Sequence, residues 1–224
     1  MPTALKSKKA VILLSGGIDS TTTLYFAKKK GYKLTGLIFD YGQRHKKEIG
    51  FAKRIAKFNK IKCYLEKIDI SWTNSSLTNP KIRVPKNRSL KGFAIPSTYV
   101  AGRNIIFLSY AGSLAETIGA KRIFIGAHIQ DYSGYPDCRP EFLKSFERAL
   151  NKGLKTSGIE IKAPLLKMNK KEIIKLGLKL NVPFEYTWSC YSGQKNPCCE
   201  CDSCRFRIEA FRAVSYTHLT LPTN

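Results

Sequence analysis

The stretch that decides the fold is Ala10-Val-Ile-Leu-Leu-Ser-Gly-Gly-Ile-Asp-Ser-Thr21. Residues 10–14 form a short apolar run of the kind a buried strand makes. The run breaks at Ser15-Gly16-Gly17, and an amphipathic helix is predicted over 19–30. Two consecutive glycines let backbone N–H groups turn toward one point, and the new helix aims the positive end of its dipole there. Such a corner attracts phosphate. It lacks the Lys of a G-x-x-x-x-G-K-[ST] loop, which argues against a P-loop NTPase. The same residues also allow a plain strand–turn–helix corner with Asp19 or Ser20 as the N-cap.

Outward from this corner the pattern repeats. Residues 33–41 read as a second apolar strand, 48–58 as a helix with Ile49, Ala52, Ile55 and Ala56 on one face, and 63–68 as a third strand. This β-α-β-α-β succession predicts a parallel sheet with helices on both faces. Residues 71–98 break the rhythm with Ser, Asn, Pro and basic residues, too long for an ordinary connection, and read as a functional loop or lid. A small-residue, apolar helix over 104–118, a strand over 121–126 and an irregular polar exit over 127–139 follow. Then come a helix over 140–154 with Pro at its first turn, a short strand over 159–163, a Lys-rich helix over 169–180 and a last helix over 203–213. No internal repeat is visible.

The chain has 224 residues, of which 43% are hydrophobic and 11% aromatic, enough for one substantial domain with a core or one domain plus an appendage. No apolar run approaches the about 18 residues a membrane helix requires, and nothing resembles a signal peptide, so a cytoplasmic protein is expected. The formal charge is +23, from 39 Lys and Arg against 16 Asp and Glu. Nucleic-acid binding is one account of it. The basic residues are mostly lysines scattered along helix faces, as in Lys28-Lys29-Lys30 and Lys170-Lys171, without an Arg-rich stripe. Solvated faces, with some benefit for holding anionic ligands, are therefore the more economical account.

Seven cysteines are unevenly placed: Cys63 and Cys138 are isolated, whereas Cys190, Cys198, Cys199, Cys201 and Cys204 share one short segment. Cys198-x-x-Cys201-x-x-Cys204 with Cys190 upstream offers four soft ligands, which suits tetrahedral Zn2+. An iron–sulfur cluster and a redox Cys-x-x-Cys remain open. Cys199 is the spare thiol, because consecutive side chains point apart. Four protein ligands leave no open coordination position, so the metal is expected to be structural.

Strand exits carry the remaining candidates. Asp40-Tyr-Gly-Gln-Arg-His45 follows the second strand, where open α/β sheets bind ligands. Arg103 opens a helix after a Gly and can point a bidentate cation at a phosphate or carboxylate. Ser133-Gly-Tyr-Pro-Asp-Cys-Arg139 follows the fourth strand with a carboxylate, an aromatic ring and a guanidinium. Each has a plainer reading: a loop His, a surface Arg, a tight Gly/Pro turn with an ion pair. All lie at one end of the predicted sheet, which points to a common pocket.

The string Ser15-Gly-Gly-Ile-Asp-Ser20 resembles the pyrophosphate-binding loop of the PP-loop ATP pyrophosphatase superfamily. Together with Phe39-Asp-Tyr-Gly-Gln-Arg-His45, Val100-Ala-Gly-Arg-Asn104, Ser133-Gly-Tyr-Pro-Asp-Cys-Arg139 and Thr187-Trp-Ser-Cys190, it resembles the 7-cyano-7-deazaguanine synthase family over about residues 10–212. One departure is Ala101, where members often carry Pro.

The resemblance implies a Rossmann-like (adenine nucleotide alpha hydrolase-like) α/β domain over 8–185, a parallel sheet with flanking helices, and a small four-cysteine zinc module with a helix over 186–213. Residues 214–224 read as a non-native tail, without Lys, Arg, Asp or Glu and like read-through of a sequencing adaptor, so the natural C-terminus is expected to be missing. The implied reaction is ATP-dependent conversion of 7-carboxy-7-deazaguanine and ammonia to the nitrile preQ0, in queuosine biosynthesis, through adenylated intermediates. The implied ATP-binding residues are Leu14, Ser15, Gly16, Gly17, Ile18, Asp19, Ser20, Thr21, Thr22, Thr23 and Leu24, with Mg2+ accompanying ATP and Asp19 placing it through water or merely capping the helix. Arg103, Asp137 and Arg139 are the implied substrate-holding catalytic residues, with Tyr135 stacking on the ring. Cys190, Cys198, Cys201 and Cys204 would hold Zn2+. A homodimer is implied by the family alone. A PP-loop tRNA-modifying enzyme that adenylates a base is the alternative, favoured by the charge but lacking a visible tRNA-binding domain. A non-catalytic Zn-containing nucleic-acid binder is the third.

Overall fold

The computed structural model describes residues 8–87, 95–128, 134–192 and 195–215. Residues 129–133 of the polar exit after the fourth strand, part of the 71–98 loop and residues 216–224 of the tail lie outside that set.

The strands are β1 (Lys8–Leu13), β2 (Tyr32–Asp40), β3 (Lys62–Lys67), β4 (Arg122–Phe124) and β5 (Glu160–Lys162). The helices are α1 (Ile18–Lys29), α2 (Lys47–Phe58), α3 (Arg103–Ile118), α4 (Pro140–Gly153), α5 (Lys170–Lys179) and α6 (Asp202–Arg212). All five strands run parallel in the order β3-β2-β1-β4-β5. The chain winds outward from β1 to β3 and returns through α3 to place β4 on the other side of β1. Strand order therefore reverses beside β1, and in such sheets ligands bind beyond the carboxyl ends of the strands at that reversal.

Strand β1 sits in the middle because it is apolar on both faces. Side chains alternate along a strand. Ala10, Ile12 and Leu14 accordingly join Leu24, Ile55 and Phe124 under α1 and α2. Val11 and Leu13 join Leu37, Leu108, Ala111 and Ile123 under α3 and α4. Ile12 is fully buried, and removing such a side chain from water contributes about 2 kcal/mol. A third cluster joins α5 to α6 through Ile173, Ile174, Phe184 and Phe211, so the last helix is packed into the body of the protein.

The predicted elements are all present, with their ends displaced by one or a few residues. The fourth and fifth strands are shorter than the sequence reads, three residues each. The reason is that β4 pairs with β1 only opposite Ala10–Ile12 and with β5 only opposite Glu160–Lys162. The described parts of the 71–98 loop contain no helix or strand but are tied to the body: the Arg44 amide donates to the Leu77 carbonyl, the Ser76 amide to the Ser97 carbonyl, and Lys86 bridges to Cys201.

Candidate functional site

The corner after β1 is shaped by close approaches that only glycine permits. Gly16 has φ +76°, and a Cβ there would lie 2.5 Å from the Glu48 carbonyl oxygen and 2.7 Å from the Ala52 nitrogen. The loop is thereby pressed onto the first turns of α2. From the other side, a Cβ on Gly126 would lie 2.9 Å from the Asp19 carbonyl carbon and the Ser20 nitrogen. The exit of β4 thus closes on the start of α1.

The N-cap of α1 is Gly17, with extended backbone and no side-chain cap, which corrects the assignment to Asp19 or Ser20. The helix begins one residue earlier than the apolar pattern suggests, so both residues are already inside its first turn. Gly17 accepts from the amide and the hydroxyl of Thr21, at 3.1 and 2.8 Å. The first-turn N–H groups that follow have no carbonyl partner within the helix, the arrangement that receives an anion. The Ser15 and Ser20 hydroxyls lie 3.0 Å apart beside them.

Of the predicted loop residues, Leu14, Ser15, Gly17, Ile18, Asp19 and Ser20 line a cavity of about 230 Å³. Gly16 is buried beneath the loop, and Thr21, Thr22, Thr23 and Leu24 are fully buried in α1, where they serve packing. With Asp19 not capping the helix, its carboxylate goes elsewhere. Lys170, the first residue of α5, donates to both Asp19 oxygens at 2.8 Å. The His128 Nε2 lies 2.9 Å from the Lys170 Nζ and 3.6 Å from Asp19 Oδ2. Burial pushes the Asp19 carboxyl up, but Lys170 and His128 outweigh it and hold it well below the usual carboxylate range. Lys170 is no solvated helix lysine; it was missed because nothing local links it to a residue 151 positions away. The only local signal was its place beside Asn169, whose cap starts the helix there.

The other end of the cavity is aromatic. Phe39 stacks on Phe107 with centroids 3.9 Å apart, and Tyr41, Tyr135 and Tyr191 complete the wall. Arg103 opens α3 behind Gly102, as predicted, and donates to the Tyr41 hydroxyl at 3.2 Å. Burial lowers the Arg103 guanidinium, yet the hydroxyls of Tyr41 and Tyr135 and the carboxylate of Asp137 outweigh it and raise it above its ordinary value. Burial likewise pushes the Tyr41 phenol up.

The Asp40–His45 motif is a built corner. Gln43 is fully buried; its oxygen accepts from the Tyr41 amide at 2.8 Å, and its nitrogen donates to the Phe39 carbonyl and to Glu48 Oε1, both at 3.1 Å. His45 Nε2 lies 3.1 Å from Glu48 Oε2. His45 and Glu48 both line the cavity. From sequence alone Glu48 shows only as the start of a helix.

Asp137 and Arg139 do not line the cavity. Asp137 is buried and accepts from the Asn104 amide at 2.8 Å, anchoring the start of α3. Arg139 is exposed at the N-cap of α4. Their neighbours Tyr135 and Cys138 reach the cavity instead.

The sulfur atoms of Cys190, Cys198, Cys201 and Cys204 lie within 4.8 Å of one another, while Cys199 is exposed with φ +63° and outside the group. Zn–S bonds of about 2.3 Å place tetrahedral sulfurs roughly 3.8 Å apart, so the set needs only a small contraction around an ion. Backbone N–H groups of Ser192 and Cys198 point at the Cys190 sulfur at 3.4 and 3.3 Å, and that of Cys201 at the Cys198 sulfur at 3.3 Å. Such donors favour the thiolate form, and the cluster can hold a metal ion. Trp188 connects it to the loop: its amide donates to the Gly16 carbonyl at 2.8 Å and its indole N–H to the Cys190 carbonyl at 2.9 Å.

Comparison with known proteins shows the family. Residues 9–215 match the family described as Queuosine biosynthesis protein QueC. The chain is 46% identical over 213 residues to a 7-cyano-7-deazaguanine synthase from Thermoplasma volcanium, covering 93% of this chain and 88% of that protein. It is 50% identical over 216 residues to one from Clostridium kluyveri, covering 93% and 95%. Among solved structures, NMN synthetase from Francisella tularensis shares the fold, with a TM-score of 0.53 at 17% identity over 94% of this chain and 78% of that one. With its PP-loop corner, its four-cysteine cluster and this extent of identity, the chain belongs to the family of queuosine-biosynthesis enzymes to which the 7-cyano-7-deazaguanine synthases belong.

Proposed function

We propose that the protein converts 7-carboxy-7-deazaguanine, ammonia and ATP into 7-cyano-7-deazaguanine. The observation that carries this reading is one cavity with two unlike ends, an anion-receiving corner at Ser15–Ser20 and an aromatic wall with Arg103. A carboxylate is a poor electrophile. Attack of its oxygen on the ATP α-phosphorus releases pyrophosphate and gives an acyl-adenylate. Ammonia displaces AMP to give the amide. Adenylation of the amide oxygen by a second ATP, followed by loss of AMP and a proton, leaves the nitrile. Both carboxylate oxygens depart on AMP, which balances the sequence.

The helix N-terminus and the Ser15 and Ser20 hydroxyls would hold the leaving pyrophosphate. Lys170, released from Asp19 as phosphate arrives, would supply a cation beside it. Mg2+ would travel with ATP, with Asp19 reaching it through water. Arg103 would hold the substrate carboxylate, and Tyr41 or Tyr135 would stack on the ring; Asp137 and Arg139 keep only supporting roles at helix starts. Zn2+ is the metal we assign to the four cysteines, as a structural ion in a module spanning 186–213, with the catalytic unit over 8–185. The family likeness supports a cytoplasmic homodimer.

Mass spectrometry of a reaction containing 7-carboxy-7-deazaguanine, ATP, Mg2+ and ammonium tests the reading. The nitrile is expected, and its absence from folded protein with its metal bound overturns it. Elemental analysis, with Cys201→Ser as the control, should find one zinc per chain; iron or no metal would overturn that assignment.

A further inference from the structure

Among the described residues two carboxylates line the cavity, and they are held in opposite ways. Asp19 carries a lysine. Glu48 has no lysine or arginine within ion-pair distance among the described residues, in a chain with 39 such side chains against 16 acids. Its oxygens meet Gln43 and His45 instead, each at 3.1 Å. Those partners are themselves fixed: Gln43 by the Tyr41 amide and the Phe39 carbonyl, His45 by near-complete burial. The carboxylate is thus oriented and partly buried, and each oxygen keeps a second lone pair.

A fixed carboxylate with one open lone pair on each oxygen is complementary to two parallel N–H donors on a flat group. It is a poor metal site, because the Gln43 amide presents N–H to it, its oxygen being committed to Tyr41. Tyr41 lies within electrostatic reach of both Glu48 and Arg103, and no ion pair joins those two among the described residues. Separated opposite charges flanking an aromatic wall match a planar heterocycle with a carboxylate at one position and an amidine edge at another.

We propose that Glu48 is a substrate-binding, specificity-determining residue that accepts from the N1–H and 2-amino groups of the deazaguanine ring, held for the purpose by Gln43 and His45. This assignment rests on the substrate reading above. Asp137, which the resemblance grouped with Arg103 and Arg139 as substrate-holding, does not line the cavity and accepts from the Asn104 amide.

The test compares 7-carboxy-7-deazaguanine with its analogue lacking the 2-amino group, for wild type, Glu48→Gln and Glu48→Asp. Sites that bind a substrate N–H reject analogues lacking it strongly, so wild type should prefer the amino compound by at least about 10²-fold in kcat/KM. Glu48→Gln presents an N–H where an acceptor is required; the preference should fall at least about tenfold, through KM for the deazapurine, with KM for ATP unchanged. Glu48→Asp keeps the charge and should retain part of the preference, which separates recognition from a folding defect. An unchanged preference in Glu48→Gln, or a loss confined to KM for ATP, overturns the proposal. Nitrile formation by wild type is the control: its failure removes the substrate reading and this assignment with it, whereas normal turnover with unchanged preference removes only Glu48.

Discussion

Asp19 shows how one side chain changes meaning between sequence and structure. The motif suggested a helix cap or a metal-placing carboxylate; the cap is Gly17, and the Asp19 side chain is the anchor for Lys170. Because its folded pKa is held below the ordinary value, Asp19 stabilises the protein above the usual carboxylate range and loses that contribution as pH falls through the folded pKa. In Lys170→Met only His128 would be left to offset the burial cost, and the carboxyl would be pushed upward from its wild-type value. The variant should therefore be less stable than wild type by about 2 kcal/mol at neutral pH. That gap should close as pH falls toward 3 and below, because the carboxyl that has lost its lysine protonates first. Urea unfolding midpoints across pH measure it, and a gap independent of pH would refute the pairing. The same variant should bind ATP more weakly if Lys170 turns to phosphate.

At the scale of elements, α5 positions Lys170, and its start is set by chemistry the sequence displays. Asn169 accepts from the Glu172 amide at 3.0 Å while Glu172 reaches back to the Asn169 amide at 2.8 Å. Removing such a cap costs about 1 kcal/mol. Asn169→Ala should lower stability by that amount and also raise KM for ATP a few-fold, since the first residue of the helix is the one that meets Asp19; thermal melting and initial rates check both. A change in stability alone would mean that tertiary packing, not the cap, sets the place of Lys170. The start of α3 follows the same logic with distant partners. Its N-cap is Gly102, and the Asn104 amide is answered by Asp137, 33 residues downstream. Local pattern located the helix and its arginine, but could not say that Asp137 was already spent on it.

Across the whole molecule, the cysteine cluster and the phosphate corner are one connected structure. Trp188 is hydrogen-bonded to Gly16 on one side and to Cys190 on the other, Phe51 packs on its ring, and the Lys47 ammonium lies 4.4 Å from its centroid. The buried Arg207 of α6 donates to Thr187 at 2.8 Å and to the Phe184 carbonyl at 3.1 Å, fixing the same segment from behind. Removing the metal should loosen the Cys190 segment and with it the loop. Chelation is expected to shift Trp188 emission to longer wavelength, Trp72 being already 74% exposed, and to weaken ATP binding at least several-fold. Unchanged emission and affinity after verified metal loss would show that the cluster stands apart from the corner.

By itself the sequence determined the order of strands and helices, the parallel sheet, the Ser15–Ser20 corner, Arg103 at a helix start and the four cysteines. These are local properties: apolar period, glycine pairs and short ligand spacings act between residues near in the chain. Only the tertiary structure decided which strand exits meet. It brought Gly126 against Asp19, Lys170 and His128 to the corner, and Glu48 with His45 to the cavity, while leaving Asp137 and Arg139 off its lining. The physical reason is that a side chain's role depends on which partner claims its charge or hydrogen bonds first. For Asp19 and Asp137 those partners lie 151 and 33 residues away, brought close by the fold, whereas the partners of Glu48 are near in the chain and only its place in the cavity is tertiary.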